Sequence, residues 1–493
     1  MTTKTNPTSS RKTLGLTGIT INAMALTAPG AFLWLLYQVQ SAANVGGVAD
    51  IWPGVFLALL STLLTAFSFG ELARRYPEAG FRSAYHFAER IFAAQEHPRH
   101  RSLARLAKFA TGWAAHLYYW IYPGVMVAFM GILADYLLRY IGYVPTTEYG
   151  DVGELIRNVI LAASFSAFIG FLALRGITGT TTSSVVLNTI QLVMLVVFSA
   201  LAIAMRLANS GAFLPSDWTH PSAASVLLPH SLEGLLFQAA LAMFLMVGFE
   251  SSTALGASAS NPQRDIPRGA ILALIIQGAC AYLVGYFAAG FALNRYIDAT
   301  TSQAPIGEMA LQIGNLVLGG YGTTLMFSMG LTVAIALVAG TLTAMNNGVR
   351  ISFAMALDEE MPDVLGLVHP KYATPYYTVL LLSAVSAIVG TAGLIGGLPV
   401  LMGIILASNL GAFMLYALLC ILTVATFLRD ASFNFFRHIV LPAIGLIANL
   451  GIAAATIIIG LRAGGIVTQA SLIALGIAGI WLLLSAAYYF LKR

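Results

Sequence analysis

Apolar residues fill this chain in blocks of about twenty, separated by short polar punctuation. Continuous blocks of that length predict helices that cross a lipid bilayer. Twelve are expected, at 14–40, 53–73, 110–134, 155–174, 179–205, 234–258, 269–293, 322–349, 376–394, 398–427, 437–461 and 470–490. The connections are polar and too short to be domains; the longest on one side read "YVPTTEYGDVGE" (143–154) and "NSGAFLPSDWTHPSAAS" (209–225). Residues 1–13, "MTTKTNPTSSRKT", read as a disordered tail. They do not read as the start of a signal peptide, because the first apolar run is too long and no small-residue cleavage site closes it.

Composition agrees with the pattern. Hydrophobic residues make up 58% of the chain and charged ones 9%, against about 25% charged in a soluble domain. The charges are also unevenly placed. With the amino terminus in the cytoplasm, twenty of the 25 lysines and arginines fall on the cytoplasmic side, the asymmetry expected of a multi-pass protein. The net charge of +5 therefore reports orientation in a membrane and implies no nucleic-acid partner. A plasma membrane with both termini cytoplasmic is the expected location. The basic stretch "HPRHRSLARLAK" (97–108) reads as a solvated turn touching anionic headgroups. Cys280 and Cys420 sit inside apolar runs with no redox or metal spacing. No zinc motif, nucleophile elbow or phosphate loop is present, so neither an enzyme, a metal nor a cofactor is expected.

Two spans carry breakers. The first contains "LTAPGAF" (26–32), where Pro29 lacks a donor and Gly30 adds freedom; the sixth contains "MVGFES" (246–251), where Gly248 precedes Glu250. In lipid, irregular backbone is tolerated only where it faces protein or a cavity. If the first ten spans form two units of five, the breaks hold matching positions, which is the sequence signature of a secondary transporter's binding site. The expected organisation is a first unit at 14–205, a second at 234–427 and two appended helices at 437–490.

The stretch after the second break, "GFESSTALGASASNPQRDIPRGAI" (248–271), resembles the sixth helix and following loop of the amino acid–polyamine–organocation transporter superfamily, in its bacterial amino acid permease type. "FSFGELARRYPEAGFRSAYHFAERIF" (67–92) is similar to that family's second helix and loop. "RISFAMALDEEMPDVLGLVHPKYATP" (350–375) is similar to its eighth helix and loop. "TAPGAF" (27–32) stands at the place of its first-helix G-[SA]-G-[IV]-F. The resemblance implies an all-α membrane protein of leucine-transporter type: a 5+5 inverted repeat plus two helices, with helices one and six unwound at mid-membrane. It also implies alternating access for amino acids or related amines, by proton symport or by exchange of one solute for another. Departures are visible. Ala28, Pro29 and Gly30 replace the usual glycine-rich triplet, Thr178 stands where some proton-coupled members carry lysine, and in the loop after span eight Leu357 and Glu359 replace the common arginine and glycine.

These readings give candidate residues. At the first break, Thr27, Ala28, Gly30, Ala31 and Phe32 offer backbone groups to a small-molecule substrate, the free N–H groups of Gly30, Ala31 and Phe32 suiting a carboxylate and carbonyls around Thr27 suiting an ammonium. At the second, Met246, Val247 and Gly248 offer backbone, with free carbonyls suiting an ammonium, and Phe244 and Phe249 offer aromatic faces. Glu250 has three readings: a proton-coupling carboxylate, a gate bonded to donors from helix one, or a satisfied structural cap. His116 reads as a hydrogen-bonded packing residue. Asn188, Gln191, Thr341 and Thr343 read as interhelical hydrogen-bonding groups, the two threonines also as oxygen ligands for sodium. The alternative to transport is a nutrient sensor on the same fold. Short tails argue against it.

Overall fold

The computed structural model describes residues 14–26, 29–43, 50–77, 83–93, 98–143, 152–176, 181–208, 221–255, 259–293, 299 and 302–491. The expected amino-terminal tail, Thr27 and Ala28 lie outside them, as does the side chain of Cys280. Among the described residues the protein is all-α; its only extended pairings are two isolated bridges, Leu14 with Ala259 and Val368 with Pro375.

Eleven helices among the described residues are long and apolar enough to span a membrane. They are α3 (Ile51–Arg75), α5 (Pro98–Tyr140), α6 (Val152–Leu174), α7 (Thr181–Ala208), α9 (Leu232–Met246, continued to Thr253), α10 with α11 (Pro262–Ile275, Val284–Ala292), α13 (Gly322–Leu357), α14 (Tyr376–Ile395), α15 (Gly397–Phe427), α16 (Leu441–Arg462) and α17 (Gly465–Leu491). The first expected span is two shorter helices, α1 (Leu16–Leu26) and α2 (Pro29–Ala42). Pro29 opens α2, a position where its missing N–H costs nothing.

Several helices outrun their apolar blocks. α5 has 43 residues and α13 has 36, because a helix need not stop where the hydrocarbon does. Three helices were not anticipated: α4 (Ser83–Ala93), α8 (Ala223–Leu227) and α12 (Pro305–Val317). They are too short to span, so a search for twenty-residue blocks passes over them. Between α10 and α11 the chain makes a π-helical stretch, Ile276–Leu283, with Gly278 set against Leu59.

Lipid supplies no hydrophobic drive between helices, so they associate by close packing and selected hydrogen bonds. The outward faces stay apolar, with Ile447 and Leu483 each 71% exposed. Inside, glycines let backbones meet. A Cβ on Gly54 of α3 would lie 2.5 Å from Cβ of Gln238 on α9, and one on Gly411 of α15 would lie 2.9 Å from the Tyr118 nitrogen on α5. Polar side chains then pin helix to helix: Asn409 Nδ2 donates to the Ala240 carbonyl at 2.7 Å, and Asn188 Nδ2 to that of Ile21 at 3.2 Å. Thr341 and Thr343 behave otherwise. Both hydroxyls turn back onto their own helix, donating to the Leu337 and Ala339 carbonyls, a local alternative to an interhelical bond.

After α13 the chain turns through Glu359, which has φ of +61°. That left-handed region costs an L-residue roughly 1–2 kcal/mol. Glu359→Gly should therefore raise stability by about 1 kcal/mol, measured as a higher midpoint of thermal unfolding in detergent. An unchanged or lower midpoint would show that contacts of the Glu359 side chain outweigh the strain.

Candidate functional site

The sixth span changes geometry where its sequence predicts. α9 ends at Met246, Val247 is extended, Gly248 has φ of +116°, and a 3-10 segment runs from Phe249 to Leu255. Only glycine adopts such a φ without strain. The turn brings the Gly248 N–H onto Oε2 of Glu250 at 3.0 Å. The Ser251 N–H donates to the Gly248 carbonyl at 3.0 Å and Thr253 Oγ1 to that of Glu250 at 2.8 Å, which locks the segment.

Glu250 is fully buried. Tyr119 Oη of α5 donates to its Oε1 at 2.8 Å, and Tyr416 Oη of α15 donates to its Oε2 at 2.9 Å. Among the described residues its donors thus come from α5, α15 and its own turn, not from helix one. Three donors suit an ionised carboxylate, which only accepts. A proton on Glu250 would add an O–H that needs an acceptor, which a turned tyrosine hydroxyl could supply. The same carboxylate therefore joins three elements and can part from two of them.

Tyr119 is held closely. Pro123 of α5 has no N–H to give to the Tyr119 carbonyl four residues earlier. At that freed carbonyl α13 passes close by, where a Cβ on Gly348 would lie 3.3 Å from the oxygen. Sequence reasoning missed both tyrosines. The run "HLYYWIYP" (116–123) carried the available signal, since a buried tyrosine hydroxyl needs a partner.

Beside the carboxylate stands an aromatic cluster. Phe244 stacks on Tyr122 with centroids 4.4 Å apart and meets Phe32 edge-on at 5.4 Å; Phe129 lies 6.3 Å from Phe244. Tyr286 Oη donates to the Phe32 carbonyl at 3.3 Å. Ala31, Phe32, Phe244, Met246, Val247 and Phe249 are all buried. Gly30 and Ala31 stand second and third in α2, where N–H groups have no intrahelical acceptor; Phe32 is fourth, where the intrahelical bonds begin, so its N–H is not among the free donors the sequence suggested. At the end of α1, the Met24 carbonyl is already taken by Gln277 Nε2 at 2.6 Å. Phe249 points away from Phe244's cluster, packing on Phe69 at 5.5 Å and on Tyr416 at 5.3 Å.

His116 lies outside this constellation. Its Nδ1 faces the Gly112 carbonyl at 2.7 Å and so carries a proton, while Nε2 faces Ser352 Oγ at 2.9 Å. Trp120 Nε1 donates to the same Oγ at 3.1 Å, so the imidazole is a bonded packing group. Among the described residues no group of three or more acidic, histidine or cysteine side chains could hold a metal ion. An open groove of about 450 Å³ between α7 and α13, lined by Val193, Val197, Tyr321 and Leu325, is apolar and apart from Glu250.

The family model for amino acid permeases matches residues 18–463. The chain is 24% identical to the low-affinity putrescine importer PlaP of Escherichia coli over 78% of this chain and 76% of that one. It is 24% identical to the branched-chain amino acid permease BcaP of Bacillus subtilis over 90% and 87%, and to the methylthioribose transporter of the same organism over 74% and 71%.

A hydrogen bond to a charged group contributes about 1.5–3 kcal/mol. Tyr119→Phe and Tyr416→Phe should each destabilise the protein by roughly that amount, and by clearly less in a Glu250→Gln background. Thermal unfolding of the single and double variants measures the difference. Equal losses in both backgrounds would mean that the hydroxyls do not serve the carboxylate.

Proposed function

The chain belongs to the amino acid permease family, and from that premise we propose that it is a secondary transporter moving an amino acid or related amine by alternating access, with Glu250 as the group that couples or gates the movement. As a family member it is a multi-pass membrane transporter and not an enzyme. The site lies between the two breaks. The first-turn N–H groups of Gly30 and Ala31 receive a substrate carboxylate, at the positive end of a helix. Carbonyls around Thr27, Met246 and Val247 receive an ammonium. Phe32 and Phe244 border its apolar part, and Phe249 borders Glu250 from the other side.

The observation that carries this reading is the Tyr119–Glu250–Tyr416 bridge across three helices at the second break. It is a charge-assisted link that is strong when made and that protonation weakens, since a protonated carboxyl is a poorer acceptor and carries an O–H that itself needs an acceptor. Proton arrival and helix separation are then one event. A solute exchanger would use the same bridge as a gate, parted by substrate alone. None of the described groups touching Glu250 or Phe244 is cationic, which favours amines and neutral amino acids over acidic ones. The putrescine importer and the branched-chain permease among its relatives span that range. The basic-residue asymmetry supports a plasma-membrane protein with both termini, and hence the α4 end, in the cytoplasm.

The test is uptake of a labelled amino acid and amine panel into proteoliposomes, with and without an inward proton gradient, for wild type and Glu250→Gln. Gradient-driven uptake that Glu250→Gln abolishes while retaining substrate binding is the result expected of a coupling carboxylate. Uptake that ignores the gradient but requires internal solute would assign exchange, with Glu250 a gate. No saturable uptake of any solute would overturn transport and favour the sensor reading.

A further inference from the structure

At one end of the bundle a charged cluster ties α4 to α5 and to the turn after α13. Lys108 of α5 is its hub. Its Nζ lies 2.9 Å from Asp358 Oδ2 and 3.4 Å from Glu89 Oε1 of α4, and 5.0 Å above the ring of Tyr85. Tyr85 Oη, fully buried, donates to the same Asp358 oxygen at 3.0 Å. Burial and the adjacent Asp358 carboxylate hold the Tyr85 phenol well above its ordinary range, so it stays a donor. Arg105 pairs with Glu360 at 3.6 Å one helical turn away. The Lys108 and Asp358 side chains are only 14% and 18% exposed, dry enough for the pair to matter where a fully exposed one would not.

What α4 covers gives the cluster its meaning. Phe87 of α4 packs edge-on against Phe69 of α3 at 5.9 Å, and Phe69 against Phe249 at 5.5 Å. Phe249 is the neighbour of Glu250 and touches Tyr416, one of its two tyrosine partners. A chain of buried rings therefore runs from Phe87, on the helix that carries Tyr85 and Glu89, to the neighbour of the carboxylate, and α4 packs on the 3-10 segment itself.

We propose that Lys108 is a positioning residue for the transport site: by pairing with Asp358 and Glu89 it seats α4, and the Phe87–Phe69–Phe249 stack that α4 completes closes the Glu250 site on that side. Solute leaves past α4 only when the Lys108 pairs part. Removing the charge takes the shared ammonium from Asp358 and Glu89, so α4 lifts more often while the opposite end of the bundle is unaffected. This rests on Glu250 lining the transport site, but its test needs no transported solute, so its failure is separable from failure of the uptake experiment.

The experiment uses full-length protein with Cys280→Ser and Cys420→Ala, carrying one reporter cysteine. Ser252→Cys places it two residues past Glu250, at a fully buried position in the 3-10 segment; Ser41→Cys places it at a fully buried position in the last turn of α2, at the other end. Labelling by a hydrophilic maleimide is timed in detergent. Lys108→Gln should speed labelling at 252 by about tenfold, since stranding one partner of a largely buried pair shifts an opening equilibrium by at least that factor. It should leave position 41 at its original rate, and Lys108→Arg should stay close to wild type at both. If Lys108→Gln does not fold, Asp358→Asn breaks the same pair from the other side and should give the same pattern. An unchanged rate at 252, or an equal rise at 252 and 41, would overturn the proposal, the second by showing general loosening.

Discussion

A carboxylate inside an apolar span must be satisfied by protein, because lipid offers it nothing; left bare it costs roughly 2.5–3.5 kcal/mol on insertion scales. Glu250 meets that constraint with three donors from three places: its own turn, α5 and α15. Much of the surrounding architecture follows. Gly248 must hold a positive φ to turn its N–H inward. α15 must come close enough to α5 for two tyrosines to reach one side chain, which Gly411 permits by approaching the Tyr118 backbone. The network is fully donated to, and such a network either rigidifies a core or fails as a unit.

The surroundings separate two kinds of packing. Around Phe244 the contacts are ring on ring with few polar partners, so that face can rearrange around different ligands at small cost. Around Glu250 every oxygen is bonded, so that side moves only by breaking a strong link. A transporter needs both: an adaptable surface to accept solute and a discrete switch to prevent leak. The charged cluster at Lys108 adds a second discrete element, set in water-accessible territory instead of the membrane interior and joined to the first through Phe87, Phe69 and Phe249.

Much of this was legible in the sequence, and the boundary has a physical origin. Apolar blocks report spans because the bilayer imposes a length; the same filter is blind to α4 and α12, which answer to no such length. Gly248 and Glu250 stood out because each contradicts its local surroundings. Their partners did not. Tyr119 is 131 positions away and Tyr416 is 166, and a tyrosine in an aromatic-rich span looks ordinary until the fold brings it to a charge. Glu359 was visible as a departure from a glycine; that its φ is positive became clear only from the turn. The gate reading of Glu250 looked to helix one for donors; among the described residues they come from α5, α15 and its own turn, because sequence ranks neighbours by position along the chain, whereas a helix bundle ranks them by face.

The 166-residue separation also bears on how the protein is made. A ribosome adding about 5–20 residues per second delivers Tyr416 roughly 10–30 s after Glu250. Tyr119 is already in the membrane when the carboxylate arrives, so two of its three donors, the Gly248 N–H and the Tyr119 hydroxyl, are on hand at once. The third, Tyr416, must wait for four further spans. During biogenesis α9 therefore enters the bilayer with an incompletely bonded acid, carried as the neutral form or held beside the insertion machinery until α15 joins. The last polar bond to form at the heart of the molecule is thus supplied by one of its latest helices.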